Sequence, residues 1–511
     1  MPDILTVLSN LFSLTSVLAI LGGICGGLVI GFLPGLTSNM AVALLLPITF
    51  TMSPIPALLM LTSVYASAIY AGSFSAILLH TPGTSASAAT VLDGFPLTQR
   101  GESNKALRIA TFSSMFGGAF SAIALLLLAP PLSRISLMFG PAEYFFIAIF
   151  GLSIIGSLSS GGVVKGLLSG ILGLLFSSVG LDIDSGFPRF CFGYNDLHAG
   201  LEFVPAVIGL FSMAQALVMT EEVQKSIQRV ETPKSSEWRV FPRLSEIRQI
   251  KTTLMRSSFL GVLVGILPGA GGDISSWVSY NEAKRFSKHP EQFGHGSLEG
   301  ISASETANNA NTGGAMIPMF TLGIPGSPTA AVLLGALVIQ GLVPGHEMFD
   351  RHGSIVYTVI IGFFLANIVM GFMGMYSTRY LSHITTLPNY AVIPVIVFFS
   401  VVGSFSLGHS MLNVMIMLSF GFLGFLMRKI NMSPAPMILG LILGPFAEKG
   451  FRQALILSRG DLITYLLKSP ISLILIALTI LSVATTVYLG SRLTKSAAPP
   501  EEYESLTGEK H

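Results

Sequence analysis

Apolar stretches of membrane-crossing length recur along the chain, separated by short polar clusters and longer charged loops. Windows such as Leu11 to Leu33, Ala106 to Leu128, Tyr144 to Leu158, Ile355 to Met375 and Ile471 to Leu489 each cross, or nearly cross, a hydrocarbon core of roughly 30 Å as helices. The pattern predicts about ten to twelve spans. Two apolar stretches carry the same interruption: Gly31-Phe32-Leu33-Pro34-Gly35 returns as Gly265-Ile266-Leu267-Pro268-Gly269. A Gly/Pro break inside such a stretch exposes polar backbone, which a bilayer tolerates only where protein or water covers it.

Further matches follow in the same order. Thr81-Pro82-Gly83-Thr84 answers Ile324-Pro325-Gly326-Ser327, and Gly156-Ser157-Leu158-Ser159 answers Gly403-Ser404-Phe405-Ser406. Gly170-Ile171-Leu172-Gly173 answers Gly421-Phe422-Leu423-Gly424, while Pro205 with Gly209-Leu210 answers Pro436 with Gly440-Leu441. The offsets are 234, 243, 247, 251 and 231 residues, so two copies differ by small insertions. The chain therefore reads as residues 1–219, a first membrane repeat; 220–256, a cytoplasmic inter-repeat loop; 257–490, a second repeat; and 491–511, a polar, disordered tail. Paired interruptions in corresponding halves point to a secondary transporter with its substrate site near the bilayer midplane.

Composition sharpens this. Of 511 residues, 51% are hydrophobic and 11% charged, about half the charged fraction of an ordinary soluble protein. The 54 glycines would cost a soluble helical protein dearly in backbone entropy, but between membrane helices they permit close approach. Two cysteines, Cys25 in an apolar stretch and Cys191 in a polar loop, fit neither a disulfide framework nor a metal site. No Lys or Arg precedes Arg100, so the first apolar stretch is expected to be retained rather than cleaved as a signal peptide.

Charge also orients the halves. The interval 220–256 carries eight Lys or Arg against five Glu, which favours the cytoplasm. Arg100, Lys105 and Arg108 follow the first Pro82-Gly83 break, whereas Glu347, Asp350 and Arg351 follow the second; Lys284, Arg285 and Lys288 correspond to the uncharged stretch around Pro47 to Pro56. Both comparisons favour inverted copies. Asp182, Asp184, Arg189, Asp196 and Glu202 form a net acidic loop that fits the outside. The segment with Lys449, Arg452, Arg459 and Lys468 runs against strict alternation. The expected fold is an all-α integral membrane protein of two inverted repeats with broken helices and re-entrant hairpins.

A half-helix that begins after a break presents free N–H groups with roughly half a unit of positive charge, which suits a carboxylate. Candidate substrate-binding residues are Gly35, Thr37, Ser38 and Asn39; Thr81, Gly83, Thr84 and Ser85; Gly269, Gly271 and Gly272; and Asn309, Gly326 and Ser327. Read structurally instead, the same residues are hinges and close-packing points. Asp273, Glu305, Asn308 and Asn309 offer hard oxygen ligands for a coupling sodium ion; the asparagines equally glue helices, and Asp273 equally caps one. Glu305 must be paired, ion-bound or protonated if buried. Asp93, before Gly94-Phe95-Pro96, reads as an interfacial turn residue, and His80 as a structural residue at a helix end.

The strings Gly31 to Phe50, Leu79 to Gly101, Val204 to Leu210, Gly265 to Gly272 and Glu299 to Gly326 resemble the large membrane subunit of the tripartite tricarboxylate transporter family, over almost the whole chain. The resemblance implies an inner-membrane, multi-pass permease that imports a tri- or dicarboxylate-like anion, driven by a sodium or proton gradient. It also implies two partners: a small four-span membrane subunit and a periplasmic solute-binding protein. No cofactor beyond the coupling ion is expected, and no G-x-x-x-x-G-K-[ST] phosphate cradle is present. Two departures stand out. Leu36-Thr37-Ser38-Asn39 replaces the Gly and Pro that usually continue the first break, and Asp273 stands where a small or hydroxyl residue is usual. Alternatives are a binding-protein-independent carboxylate symporter, an anion channel, a scaffold that has lost its ion site, and an intramembrane enzyme. The last is disfavoured: H-E-x-x-H is missing, and Ala270-Gly271-Gly272-Asp273 is not Gly-x-Gly-Asp.

Overall fold

A computed structural model describes residues 3–33, 36–80, 83–135, 138–153, 163–182, 185–222, 240–267, 271–381, 389–406 and 409–481. The first half supplies α1 (Ile4–Leu11), α2 (Leu14–Phe32), α3 (Ser38–Leu45), α4 (Pro54–Leu79), α5 (Ala88–Gln99), α6 (Ser103–Ile135), α7 (Pro141–Ser153), α8 (Val163–Ser177), α9 (Phe203–Ile208) and α10 (Ala214–Glu222). The second supplies α11 (Leu244–Ile266), α12 (Gly271–Phe286), α13 (Leu298–Leu322), α14 (Pro328–Ile339), α15 (His346–Arg351), α16 (Gly353–Leu381), α17 (Asn389–Ser406), α18 (Met411–Lys429), α19 (Ala435–Leu457) and α20 (Leu462–Leu467). Among the described residues, six helices are long and apolar enough to cross a membrane, and six shorter apolar helices accompany them. The fold is all-α; the described strands are one antiparallel pairing, Gly180–Leu181 with Pro188–Arg189, in a loop.

The chain divides into two compact units, Met1–Phe139 with Val179–Ile430, and Gly140–Ser178 with Asn431–His511. In the smaller unit, α8 and α19 approach closely enough that a Cβ on Gly173 would stand 2.8 Å from the Met437 carbonyl carbon. There Glu143 accepts from the Gly140 N–H at 2.7 Å and from the Ser472 hydroxyl at 2.8 Å.

In the larger unit the packing is written twice. Gly27 and Gly31 of α2 lie on α4: a Cβ on Gly27 would stand 2.7 Å from the Val64 carbonyl oxygen, and one on Gly31 2.6 Å from that of Ala68. Gly261 and Gly265 of α11 lie on α13 against Ala307 and Asn311. Every member of the second set is the first displaced by 234 residues in α11 or 243 in α13. Without a hydrophobic drive between helices in lipid, van der Waals contact at small residues holds such pairs together. The helix ends match as well. Leu33 and Leu267 leave the helix in extended backbone, φ −77°, ψ 119° and φ −75°, ψ 116°, and their N–H groups donate to Ile30 and Val264 at 3.1 Å in both cases.

α13 is the centre of this unit. It packs against α4, α5, α6, α11, α12 and α14, and its polar residues Glu305, Thr306, Asn308, Asn309 and Asn311 are all buried. A helix this polar gains nothing from lipid contact, so its neighbours enclose it.

The glycine contacts make a direct prediction. Gly265→Val forces a branched side chain into backbone and should destabilise by about 1–3 kcal/mol. Gly22→Val, at a site with nothing within 4 Å of the added Cβ, should leave stability unchanged. Thermal unfolding of the two purified variants in detergent compares them, and equal melting temperatures would contradict the packing.

Candidate functional site

The second pair of breaks folds each chain segment back on the helix before it. Gly83 N–H donates to the Gly72 carbonyl of α4 at 3.1 Å, and Gly326 N–H donates to the Ala315 carbonyl of α13 at 3.3 Å, the same bond 243 residues on. Substituting either glycine would drive a Cβ into these helices. Thr84 and Ser327 then open the next helical turns: Thr84 N–H donates to Ser87 Oγ at 3.3 Å, and Ser327 Oγ accepts from Ala330 N–H at 3.2 Å.

α4 and α13 meet at equivalent residues. Asn309 Nδ2 donates to the Ala66 carbonyl at 3.2 Å, and these two positions are themselves 243 apart. Around that contact the halves differ in chemistry. On one side Tyr65 OH pairs with Ser327 Oγ at 2.8 Å, and Ser38 Oγ pairs with Thr329 Oγ1 at 2.9 Å. The equivalent positions on the other side are Asn308 for Tyr65, Thr84 for Ser327, Gly272 for Ser38 and Ala86 for Thr329. Neither Asn308 Nδ2 nor Oδ1 has a hydrogen-bond partner, although the residue is wholly buried. Asn309 Oδ1 is likewise unpaired. Leaving a buried polar group unpaired costs about 1–3 kcal/mol, so amides of this kind have bonding capacity to offer a ligand.

The predicted site residues fall into groups. Gly35, Thr81 and Gly269 lie outside the described residues. Thr37 caps α3 and its hydroxyl donates to Asn39 Oδ1, so these two are engaged with each other. Gly271 begins α12 with φ 58°, in the left-handed region that favours glycine. A Cβ on Gly272 would stand 2.7 Å from Asn308 Oδ1. Asp273 lies in the first turn of α12, exposed, where the helix dipole favours a negative charge, and it accepts from the Ser85 hydroxyl.

Glu305 has partners on three other helices. Its wholly buried carboxylate is bonded by the hydroxyls of Ser73 on α4, Thr90 on α5 and Ser114 on α6, the last at 3.0 Å. No described ion pair includes it. A carboxylate ringed by hydroxyls and lacking a counter-charge has the donor chemistry to hold a small hard cation or a proton. Asp273, Asn308 and Asn309 are not among its partners.

Residues that pattern reading placed wrongly or missed hold the frame. Asp93 is no turn residue: it sits buried within α5, and Oδ1 accepts from the N–H groups of Gly294, Gly296 and Ser297 at 2.8–2.9 Å while Oδ2 accepts from Tyr280 OH at 2.8 Å. Gly94 and Pro96 lie inside α5 rather than in a turn. Arg108 of α6 and Glu246 of α11 form a buried ion pair at 2.7 Å. Tyr65, Ser73, Thr90 and Ser114 had no signal beyond being ordinary residues of apolar helices. His80 ends α4 in left-handed backbone, against Phe95.

Residues 17–439 match the tripartite tricarboxylate transporter TctA family. The chain belongs to this family. Two relatives from Agrobacterium vitis extend the comparison. An uncharacterized 52.8 kDa protein in the TAR-I ttuC' 3' region is 36% identical over 458 residues, 89% of this chain and 90% of the relative. An uncharacterized protein in the TAR-II ttuC' 3' region is 34% identical over 223 residues, 44% of this chain and 92% of the relative. No solved structure matches. This TctA-family protein is thus a multi-pass inner-membrane transporter protein, and the matched span includes both pairs of breaks, Asp93, Glu305 and Asn308.

Asp93 gives a test of the frame. Asp93→Ala removes the acceptor of three backbone N–H groups and a phenol, and should lower unfolding free energy by about 3 kcal/mol or more. Asp93→Asn, which keeps one acceptor oxygen, should cost less. Chemical unfolding in detergent ranks the three proteins, and an Ala variant as stable as the parent would contradict the assignment.

Proposed function

We propose that this chain is the large permease subunit of a binding-protein-dependent secondary transporter, importing an organic anion of the tri- or dicarboxylate kind by alternating access. The observation that carries the reading is the matched pair of breaks around the Asn309–Ala66 contact, with unpaired buried amides beside it. Two equivalent segments related about such a contact are what an inverted repeat requires, and the charge pattern of the loops supports opposite orientation. The starts of α3 and α14 meet through Ser38 and Thr329, and the start of α12 lies against Ala86 and Asn308; helix N-termini of this kind suit carboxylate oxygens.

Transport is driven by a sodium or proton gradient, with Glu305 as the coupling group. It joins α4, α5, α6 and α13 through its hydroxyl partners, so loading or releasing a cation there changes the packing of both hairpins' parent helices. Family membership supports the two partners, a small four-span membrane subunit and a periplasmic solute-binding protein that delivers the anion.

Uptake of labelled carboxylates by cells expressing the chain with its cognate small subunit and binding protein tests the reading. Accumulation should follow a sodium or pH gradient, should require the binding protein, and should fall in Asn39→Ala and Asn309→Ala. Glu305→Gln should reduce gradient-driven accumulation by about tenfold or more, the size of a typical coupling between two sites, while sparing membrane insertion. Transport like the parent's in all three variants would refute the site.

A further inference from the structure

The two sides of the Asn309–Ala66 contact are unequal in a way that bears on substrate choice. On the Ser38 side the polar side chains are committed to one another, Ser38 being bonded to Thr329 and Ser327 to Tyr65. On the α12 side the equivalents of Ser38 and Thr329 are Gly272 and Ala86, which bring no polar atom of their own. Gly272 lets the Asn308 amide pack directly on the start of α12: a Cβ there would stand 2.7 Å from Asn308 Oδ1 and 3.1 Å from the Ala86 Cβ. Nothing lies within 4 Å of a Cβ on Gly271. Asn308 is 0% exposed with both amide atoms unpaired, and it faces the first turn of a sixteen-residue helix. An N-terminus, a buried amide with neither atom committed and open space at Gly271 together make a carboxylate position.

Asp273 stands one residue further along the same turn and is exposed, bonded to the equally exposed Ser85. A bare carboxylate beside a second carboxylate repels it. The repulsion turns into attraction when the substrate carries an O–H or N–H group between the two, since Asp273 then accepts from it.

We propose that the carried anion binds asymmetrically, its carboxylate against Asn308 and the start of α12 at Gly271 and Gly272, with Asp273 and Ser85 selecting substrates that bear a hydrogen-bond donor, a hydroxyl or an ammonium group, next to that carboxylate. This rests on the reading of the chain as an organic-anion carrier and adds the side of binding and the determinant of specificity.

Ligand-induced thermal stabilisation of the purified full chain, titrated with succinate, malate and aspartate, tests it. Wild type should bind malate or aspartate about 10- to 100-fold more tightly than succinate, the worth of one hydrogen bond to a charged group. A preference for malate identifies a hydroxyl as the donor, and a preference for aspartate an ammonium group. Asp273→Asn should bring the preferred ligand and succinate within about twofold of each other. Asn308→Ala and Gly272→Ala, the second keeping the amide but crowding it, should each weaken all three ligands. Equal binding of all three by wild type, or an Asp273→Asn variant that keeps the preference, would overturn the specificity role while leaving the carrier reading intact. A chain stabilised by none of the three overturns both.

Discussion

A helix interrupted inside a bilayer leaves peptide groups that no water can satisfy, and the architecture of this protein follows from where those groups find partners. Gly83 and Gly326 return their N–H groups to the helix just left, at Gly72 and Ala315. That return brings a backbone turn directly onto a helix surface, which only glycine permits at the contact. It also needs parent helices that do not move aside, and Gly27 and Gly31 on α4, with Gly261 and Gly265 on α13, supply that backing. The glycine content, costly in a soluble helix, is here the means of holding broken backbone under cover.

Function enters through the differences between otherwise matched halves. One side of the Asn309–Ala66 contact has spent its polar groups on one another, through Tyr65, Ser327, Ser38 and Thr329. The other retains Asn308 with nothing to bond. Glu305 has no counterpart carboxylate, because the position 243 residues earlier is Thr62. Matched helices thus carry unlike groups: α13 has Glu305, clasped by Ser73, Thr90 and Ser114, and Asn308, with both amide atoms unpaired, where α4 has Thr62 and Tyr65. In the coupled transport we propose, these unlike groups would serve the two species, the ion and the anion.

Much of this was legible in the sequence, and what was not has a physical reason. The offsets of 234 and 243 residues could be read from Gly/Pro spacing, and the glycine contacts recur at those same offsets. The polar string Glu305 to Asn311 stood out because charge and amides are rare in apolar surroundings. Repeat matching says which residues are equivalent, not which ones touch. It could not reveal that Gly209 packs against Met417 and Gly421 of α18, or that Gly440 packs against Gly170 and Gly173 of α8. Ser73, Thr90 and Ser114 were invisible because a serine or threonine in an apolar helix usually bonds its own turn, and their shared partner lies 191 to 232 residues away. Asp93 was misread for the same reason: Gly94 and Pro96 advertise a turn, whereas the N–H groups that hold its carboxylate lie 201 to 204 residues on.

The central claim is that equivalent segments face opposite sides of the membrane around one site. Impermeant thiol labelling tests it most directly, with Glu102→Cys and Glu347→Cys introduced separately into a chain lacking its two free cysteines, Cys25 and Cys191. Both side chains are partly or largely exposed, just beyond the corresponding hairpins α5 and α14. The account predicts that residue 102 is labelled only in inside-out vesicles and residue 347 only in right-side-out ones. Labelling of both from the same face would contradict it.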